Sequence, residues 1–316
     1  MIEVVSLNPA MDRTLWVEGF AIGEVNRSFQ YSVLPGGKGL NVARFLKELS
    51  PSVSVRAIGF NGGDIGRYIV DGCRTYGIEE GFVNISGTTR VCVIVADQGK
   101  STVINEDGPT VTPEELERFW DTVSDHPELA LISGSAPAGV PDRFYVDMVK
   151  KYKSQSVPVF IDSSGIPLKY AIQEGPEVIK VNEREFAQLV EADHELTLDE
   201  IAKHAKDLFA YGIQTVIVTL GSKGSLVTTR EFTALVEPLQ VKAVNTVACG
   251  DAYFAGYAIG YLHGLDAVDS AIYGTAASAI KAENFAPIIA HAEKMNEYRK
   301  RAVVKYLSTI NSVGDQ

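Results

Sequence analysis

In the segment Gln214-Thr-Val-Ile-Val-Thr219 the five residues after Gln214 are all β-branched, with no polar–apolar alternation. A strand built from it carries apolar side chains on both faces, which only a sheet covered on both sides can bury. Outward from it, residues 2–6, 54–58, 129–133, 157–162 and 178–180 have the same Val/Ile-rich character, with helical patterns between them. That alternation predicts a mostly parallel sheet with helices on both faces. Thr112-Pro-Glu-Glu115 and Thr197-Leu-Asp-Glu200 are capping boxes that mark helix starts, and Pro113 stands where its missing N–H costs nothing.

Two regions break the alternation. Residues 13–20 with 28–34, and 89–96 with 101–104, alternate in polarity with no helix between the partners, so each pair reads as antiparallel. Together they predict a small lid sheet, about 13–34 and 89–104, inserted in a single domain over 1–316. Beyond Gly250 the chain reads as mostly helical, with small residues dense at 252–260 and 274–282. The tail beyond Ser308 is expected to be weakly ordered.

With 316 residues, 46% of them hydrophobic and 22% charged, the chain can bury a large core. A net charge of -11 argues against a broad nucleic-acid or anionic-membrane surface, while leaving room for a small anionic substrate held by a few local cations. Cys73, Cys92 and Cys249 lack the spacing of a disulfide framework or zinc site. The sequence shows neither a signal-peptide pattern at Met1–Ser6 nor a long uncharged apolar run, so a cytoplasmic protein with reduced thiols is expected.

Two segments carry chemistry. In Pro35-Gly-Gly-Lys-Gly-Leu-Asn41, between a lid strand and a helix, the glycines let a ligand reach main-chain amides. Lys38 and Asn41 add a cation and a two-way hydrogen-bonding group, which suits a hydroxylated or anionic ligand. Asn245-Thr-Val-Ala-Cys-Gly-Asp251 opens a helix, where free N–H groups and the dipole favour negative charge and Asp251 could accept a proton. In isolation, Asp251 reads as the ordinary acidic residue of a first helical turn. Two common nucleotide fingerprints fail: Gly99-Lys100-Ser101 lacks the P-loop's first glycine, because position 94 is Ile, and Gly37-Lys-Gly39 lacks a third glycine, because position 42 is Val.

These segments, with Ser6-Leu-Asn-Pro-Ala-Met-Asp12 and Ser133-Gly-Ser-Ala-Pro-Ala-Gly139 in the same order, resemble the ribokinase-like carbohydrate kinases, or PfkB family, over nearly the whole chain. Asn8-Pro9-Ala10 followed by Asp12, and Thr89-Arg90 on a lid strand, are similar to the branch of 1-phosphofructokinases and tagatose-6-phosphate kinases. The resemblance implies a three-layer α/β/α sandwich with a strand lid, and a homodimer formed through that lid.

It also implies roles. Asp251 would be the catalytic base, and the amides of Ala248, Cys249, Gly250 and Asp251 would hold the charge of the transferring phosphoryl group. Asp12, Gly37, Lys38 and Asn41 would bind the sugar. Arg90, with Ser135 and Arg27, would grip its phosphate. Lys180, Asn182, Thr219, Gly221, Gly224 and Asn284 would line the ATP site, with Asn182 and Glu185 organising Mg²⁺ largely through water. Without the family context, Asn182 and Glu185 read as a capped helix start, and Thr219–Gly224 as a glycine turn between strands. Three departures from the family pattern stand out: Ala248-Cys249 where Gly-Ala or Gly-Ser is usual, Val181 for a common Pro, and no glycine in Glu283-Asn284-Phe285. The implied reaction is ATP-dependent phosphorylation of fructose 1-phosphate. Tagatose 6-phosphate is the alternative acceptor, followed by fructose 6-phosphate or a non-catalytic sugar-phosphate sensor.

Overall fold

The computed structural model describes residues 1–97 and 99–309. Strands β1 Ile2–Ser6, β2 Ala10–Val17 and β3 Ser28–Gly36 come first, followed by β4 Val55–Asn61, β5 Glu79–Asn84, β6 Arg90–Asp97 and β7 Lys100–Asn105. Then follow β8 Leu129–Ser133, β9 Val159–Asp162, β10 Val178–Asn182, β11 Thr215–Thr219, β12 Ser225–Thr228, β13 Phe232–Val236 and β14 Val304–Thr309. The helices are α1 Lys38–Leu49, α2 Gly63–Thr75, α3 Pro113–Phe119, α4 Phe144–Ser154 and α5 Gly165–Ala171. They continue with α6 Glu183–Leu189, α7 Leu198–Asp207, α8 Cys249–Leu262, α9 Ala267–Ala282 and α10 Met295–Lys300.

Among the described residues the main sheet runs β14-β13-β12-β11-β10-β9-β8-β1-β4-β5. It is parallel from β5 to β11 and antiparallel from β11 to β14. On β1, Ile2 and Val4 pack with Leu40, Phe45, Phe254 and Ala277 of α1, α8 and α9. Val5 faces the opposite core, with Tyr152, Leu168, Phe186 and Ile201 of α4 to α7. The strand period of two thus feeds two apolar layers, the physical basis of the three-layer fold.

The strand predicted at 157–162 begins only at Val159, just after Pro158, which has no N–H to give to a ladder. Both predicted capping boxes form, Thr112 with Glu115 and Thr197 with Glu200. Strand β14 departs from the reading of the C-terminal part as mostly helical. It returns to pair with β13 and closes one end of the main sheet. The expectation for the tail beyond Ser308 lies, from residue 310 onward, outside the described residues.

The lid is a four-stranded sheet, β3-β2-β6-β7, in which both predicted antiparallel pairs form and β2 joins β6 in parallel. Its first strand starts earlier than predicted: β2 begins at Ala10, which puts Asp12 inside a strand. No helix among the described residues is long and apolar enough to cross a membrane.

Candidate active site

The chain order reverses between β1 and β8, and ligands of open α/β sheets bind beyond the carboxyl ends of the strands at such a switch. Ser6, Ser133, Asn182 and Thr219, which end β1, β8, β10 and β11, line one cavity of about 1010 Å³. That volume is large enough for two small ligands side by side. Asp12, Gly37, Lys38, Asn41, Arg90, Ser135, Lys180, Glu185, Gly221 and Gly224 line it as well, as do all four residues from Ala248 to Asp251.

Close backbone approach explains the Gly-Gly pair. A Cβ on Gly36 would lie 2.1 Å from the Asp12 carboxyl, and Gly37 adopts φ 80°, which disfavours any side chain. The Gly37 amide donates to Asp12 at 3.3 Å. Burial raises the Asp12 pKa, opposed by Arg44, by that amide and by Asn41. One turn on, Asn41 Nδ2 donates to Asp251 Oδ2 at 3.0 Å, while Asn41 Oδ1 accepts from the buried Arg44 at 2.8 Å. The orientation of Asn41, and so the lone pairs left free on Asp251, is set from behind.

Asp251 is buried at the start of α8. Burial raises its pKa to about 6, with the Asp162 carboxylate adding to the rise and Lys38, Lys180 and Asn41 opposing it. Asp162 is fully buried between two lysines, accepting from Lys180 at 2.7 Å and from Lys38 at 2.9 Å. Burial alone would raise its pKa, but the two ammonium groups outweigh it and hold the carboxylate low. Asp162 was not among the expected site residues. Its signal in the sequence was its place as the last residue of a predicted strand.

Ala248, the N-cap of α8, takes the left-handed conformation at φ 63° and offers no side-chain cap. The departure from the family's glycine therefore leaves the backbone turn in place, at a steric cost. The amide of Cys249 is committed to Thr246 O at 3.2 Å. Those of Gly250 and Asp251 make no hydrogen bond among the described residues, and they point out of an uncapped helix start. A Cβ on Gly250 would lie 3.1 Å from Lys180 Nζ, so glycine also lets that ammonium approach the same spot.

Asn182 and Glu185 form a complete capping box at the start of α6, the arrangement their spacing alone suggested. Glu185 still reaches the cavity, with its second oxygen 3.6 Å from Lys38 Nζ. The segment 219–224 is likewise a turn between antiparallel β11 and β12, closed by Leu220 N to Gly224 O at 2.8 Å, and it lines the cavity too. Two expected residues stay outside. Arg27 is exposed on the β2–β3 connection and does not line the cavity of its own chain. Asn284 turns back on α9, its Nδ2 donating to Ile280 O at 2.8 Å.

The sequence signature described as pfkB family carbohydrate kinase matches residues 1–294. The chain belongs to the pfkB family of carbohydrate kinases. This carbohydrate kinase is 35% identical over 268 residues to a tagatose-6-phosphate kinase of Staphylococcus epidermidis, covering 83% of this chain and 86% of the relative. It is 33% identical over 262 residues to a 1-phosphofructokinase of Bacillus subtilis, covering 82% and 85%. Among solved structures, a possible 1-phosphofructokinase from Thermotoga maritima superposes with a TM-score of 0.86 at 27% identity, covering 98% of this kinase and all of that chain. A ribokinase from the same organism superposes with a TM-score of 0.77 at 25% identity, covering 95% of this kinase and 99% of that chain, which agrees with the ribokinase-like fold.

Proposed function

We propose that this carbohydrate kinase transfers the γ-phosphoryl group of ATP to a hydroxyl of a sugar phosphate. Fructose 1-phosphate is the first choice of acceptor, giving fructose 1,6-bisphosphate, and tagatose 6-phosphate is the alternative. One observation carries the reading: a single cavity is lined at once by Arg90 of the lid, by Asp251 at the start of α8 and by the turn at 219–224. A phosphate-gripping cation, a buried base and a nucleotide loop then face one volume.

In this reading Arg90, half-buried with its guanidinium on Asn8 O at 3.2 Å, keeps donors free for the sugar's phosphate. Asp12 and Asn41 orient the sugar hydroxyls. Asp251 takes the proton of the attacking hydroxyl; a pKa near 6 leaves it ionised at neutral pH yet more basic than an exposed carboxylate. The free amides of Gly250 and Asp251, with Lys180 beside them, meet the charge that spreads over the transferring group. Apolar Leu239, Val241 and Ala279 on the cavity wall suit the flat face of a nucleobase; the sequence reading had not singled them out.

The donor set suits magnesium held through water. No cluster of three His, Cys, Asp or Glu forms a metal cage among the described residues, and Glu185 is already shared between Asn182 N and Lys38. Asn182 and Glu185 would then hold the ion's waters, and the ion, when bound, neutralises phosphate charge.

The lid also supports the homodimer reading. Phe29 is 69% exposed, Tyr31 64% and Ile104 56%, an apolar surface that a second lid would cover. Sedimentation showing a monomer at micromolar concentration would remove it.

A steady-state panel of fructose 1-phosphate, tagatose 6-phosphate, fructose 6-phosphate, fructose and ribose tests the acceptor. Arg90→Ala should raise KM for the phosphorylated sugars by roughly tenfold or more and leave unphosphorylated ones nearly unchanged. Preference for an unphosphorylated sugar would sink the role of Arg90. Absence of any transfer would favour the sensor reading.

A further inference from the structure

Behind the start of α8 lies a lysine without a carboxylate. Lys281, in the last turn of α9, is fully buried. Among the described residues its ammonium has one hydrogen-bond partner, the Asn245 carbonyl at 2.7 Å, and no ion pair. Burying an ammonium that has three donors against a single protein acceptor is a costly arrangement. A buried charge that lacks a partner is poor evidence of a contribution to stability, so its presence here calls for another reason.

Asn245 opens the segment that ends in Asp251, and the C-terminal end of α9 grips it. The amides of Val244 and Asn245 donate to Ala282 O at 2.7 and 3.1 Å. Asn245 Nδ2 donates to Phe285 O at 2.6 Å, and Asn245 Oδ1 accepts from Val247 N at 2.9 Å. Lys281 brings the only charge to this grip among the described residues.

We propose that Lys281 is a positioning residue for phosphoryl transfer: its buried ammonium pins the Asn245 carbonyl, and with it the loop leading to the free amides of Gly250 and Asp251. It also places a positive charge behind those amides, from a position that does not line the cavity. The inference rests on the reading of Asp251 and these amides as the transfer centre.

A pH signature follows. Burial lowers the Lys281 pKa to about 8; Cys249 and Asp251 of α8 oppose the shift, and Arg44 of α1 reinforces it. The ammonium is therefore charged below about 8 and neutral above it, so transfer falls as pH rises through that value. Of the groups facing it, Cys249 is held above its ordinary pKa by burial, Asp251 titrates near 6 on the acid side, and Arg44 contributes the charge of its guanidinium.

Lys281→Met keeps the unbranched stem, one atom shorter, and removes its charge. With the acceptor that the wild type turns over best, kcat should fall by roughly tenfold or more while KM for the sugar stays within about twofold. The melting temperature should not drop, and the alkaline limb near pH 8 should vanish. In Lys281→Ala, which leaves a small space beside the Asn245 carbonyl, ammonium chloride should restore part of the lost rate and the bulkier tetramethylammonium should not. Wild-type kcat with an unchanged alkaline limb in Lys281→Met overturns the proposal. So does a rate loss that tracks a lower melting temperature with no ammonium rescue, the behaviour of a merely structural lysine. A wild-type protein that turns over no sugar overturns the transfer reading itself, and this proposal with it.

Discussion

Replacing Asp251 with asparagine should slow the enzyme and stabilise the protein, and the stabilisation should depend on pH. Burial raises the Asp251 pKa from 3.8 to about 6, so the ionised carboxylate is less favourable in the folded protein than in the unfolded chain. At about 1.36 kcal/mol per pKa unit, the rise corresponds to about 3 kcal/mol of stability forgone wherever the group is ionised in both states. The sign follows from a raised acid: the cost is fully present above the folded pKa near 6, shrinks as pH falls, and is absent below the unfolded value of 3.8. The introduced amide would keep an acceptor for Asn41 Nδ2, now 3.0 Å from the carboxylate, so little is lost in exchange. Urea unfolding of Asp251→Asn and wild type at pH 8 should separate by about 3 kcal/mol, or about 5 °C in Tm for a chain of this size, with the two converging near pH 4. Turnover at pH 8 should drop by roughly a thousandfold, the scale of losing a general base. Equal stability at pH 8, or a difference that does not change with pH, would refute the buried-carboxylate argument.

Two further perturbations probe the same centre. Ala248→Gly relieves the left-handed backbone at φ 63°, and after the extra freedom glycine gives the unfolded chain it should stabilise by about 0.5–1 kcal/mol in chemical denaturation; a loss of stability would show that the Ala248 methyl packs usefully. Lys180→Met leaves Asp162 buried with Lys38 alone and should cost about 3 kcal/mol at pH 7. Because the two lysines hold the Asp162 pKa down, that deficit should narrow as pH falls below 3.8, and a deficit independent of pH would point to packing instead.

Much of this protein was legible from one dimension. Unalternating runs such as 215–219 announce strands buried on both faces, and short-range signals, namely the two capping boxes and the Gly-Gly pair, mark helix starts and close backbone contacts. These are local because the physics behind them acts over a few residues: side-chain period, capping hydrogen bonds, steric freedom at φ. Family order then placed Asp12, Lys38, Arg90 and Asp251 within reach of one ligand, and the fold brings all four to one cavity.

The rest depends on contacts between distant parts of the chain. Strand β14 pairs with β13 across more than sixty intervening residues, a match no local pattern encodes. Asp162 takes its low pKa from Lys38 and Lys180 on two different elements, and Lys281 meets Asn245 only because the end of α9 packs against the loop before α8. Arg27 and Asn284 show the converse: suitable residue types that the backbone carries away from the cavity of their own chain. Charge and burial act through space. Residue order set which groups this kinase possesses and the elements that carry them, and the packing of those elements set which groups face one cavity and so what each of them can do.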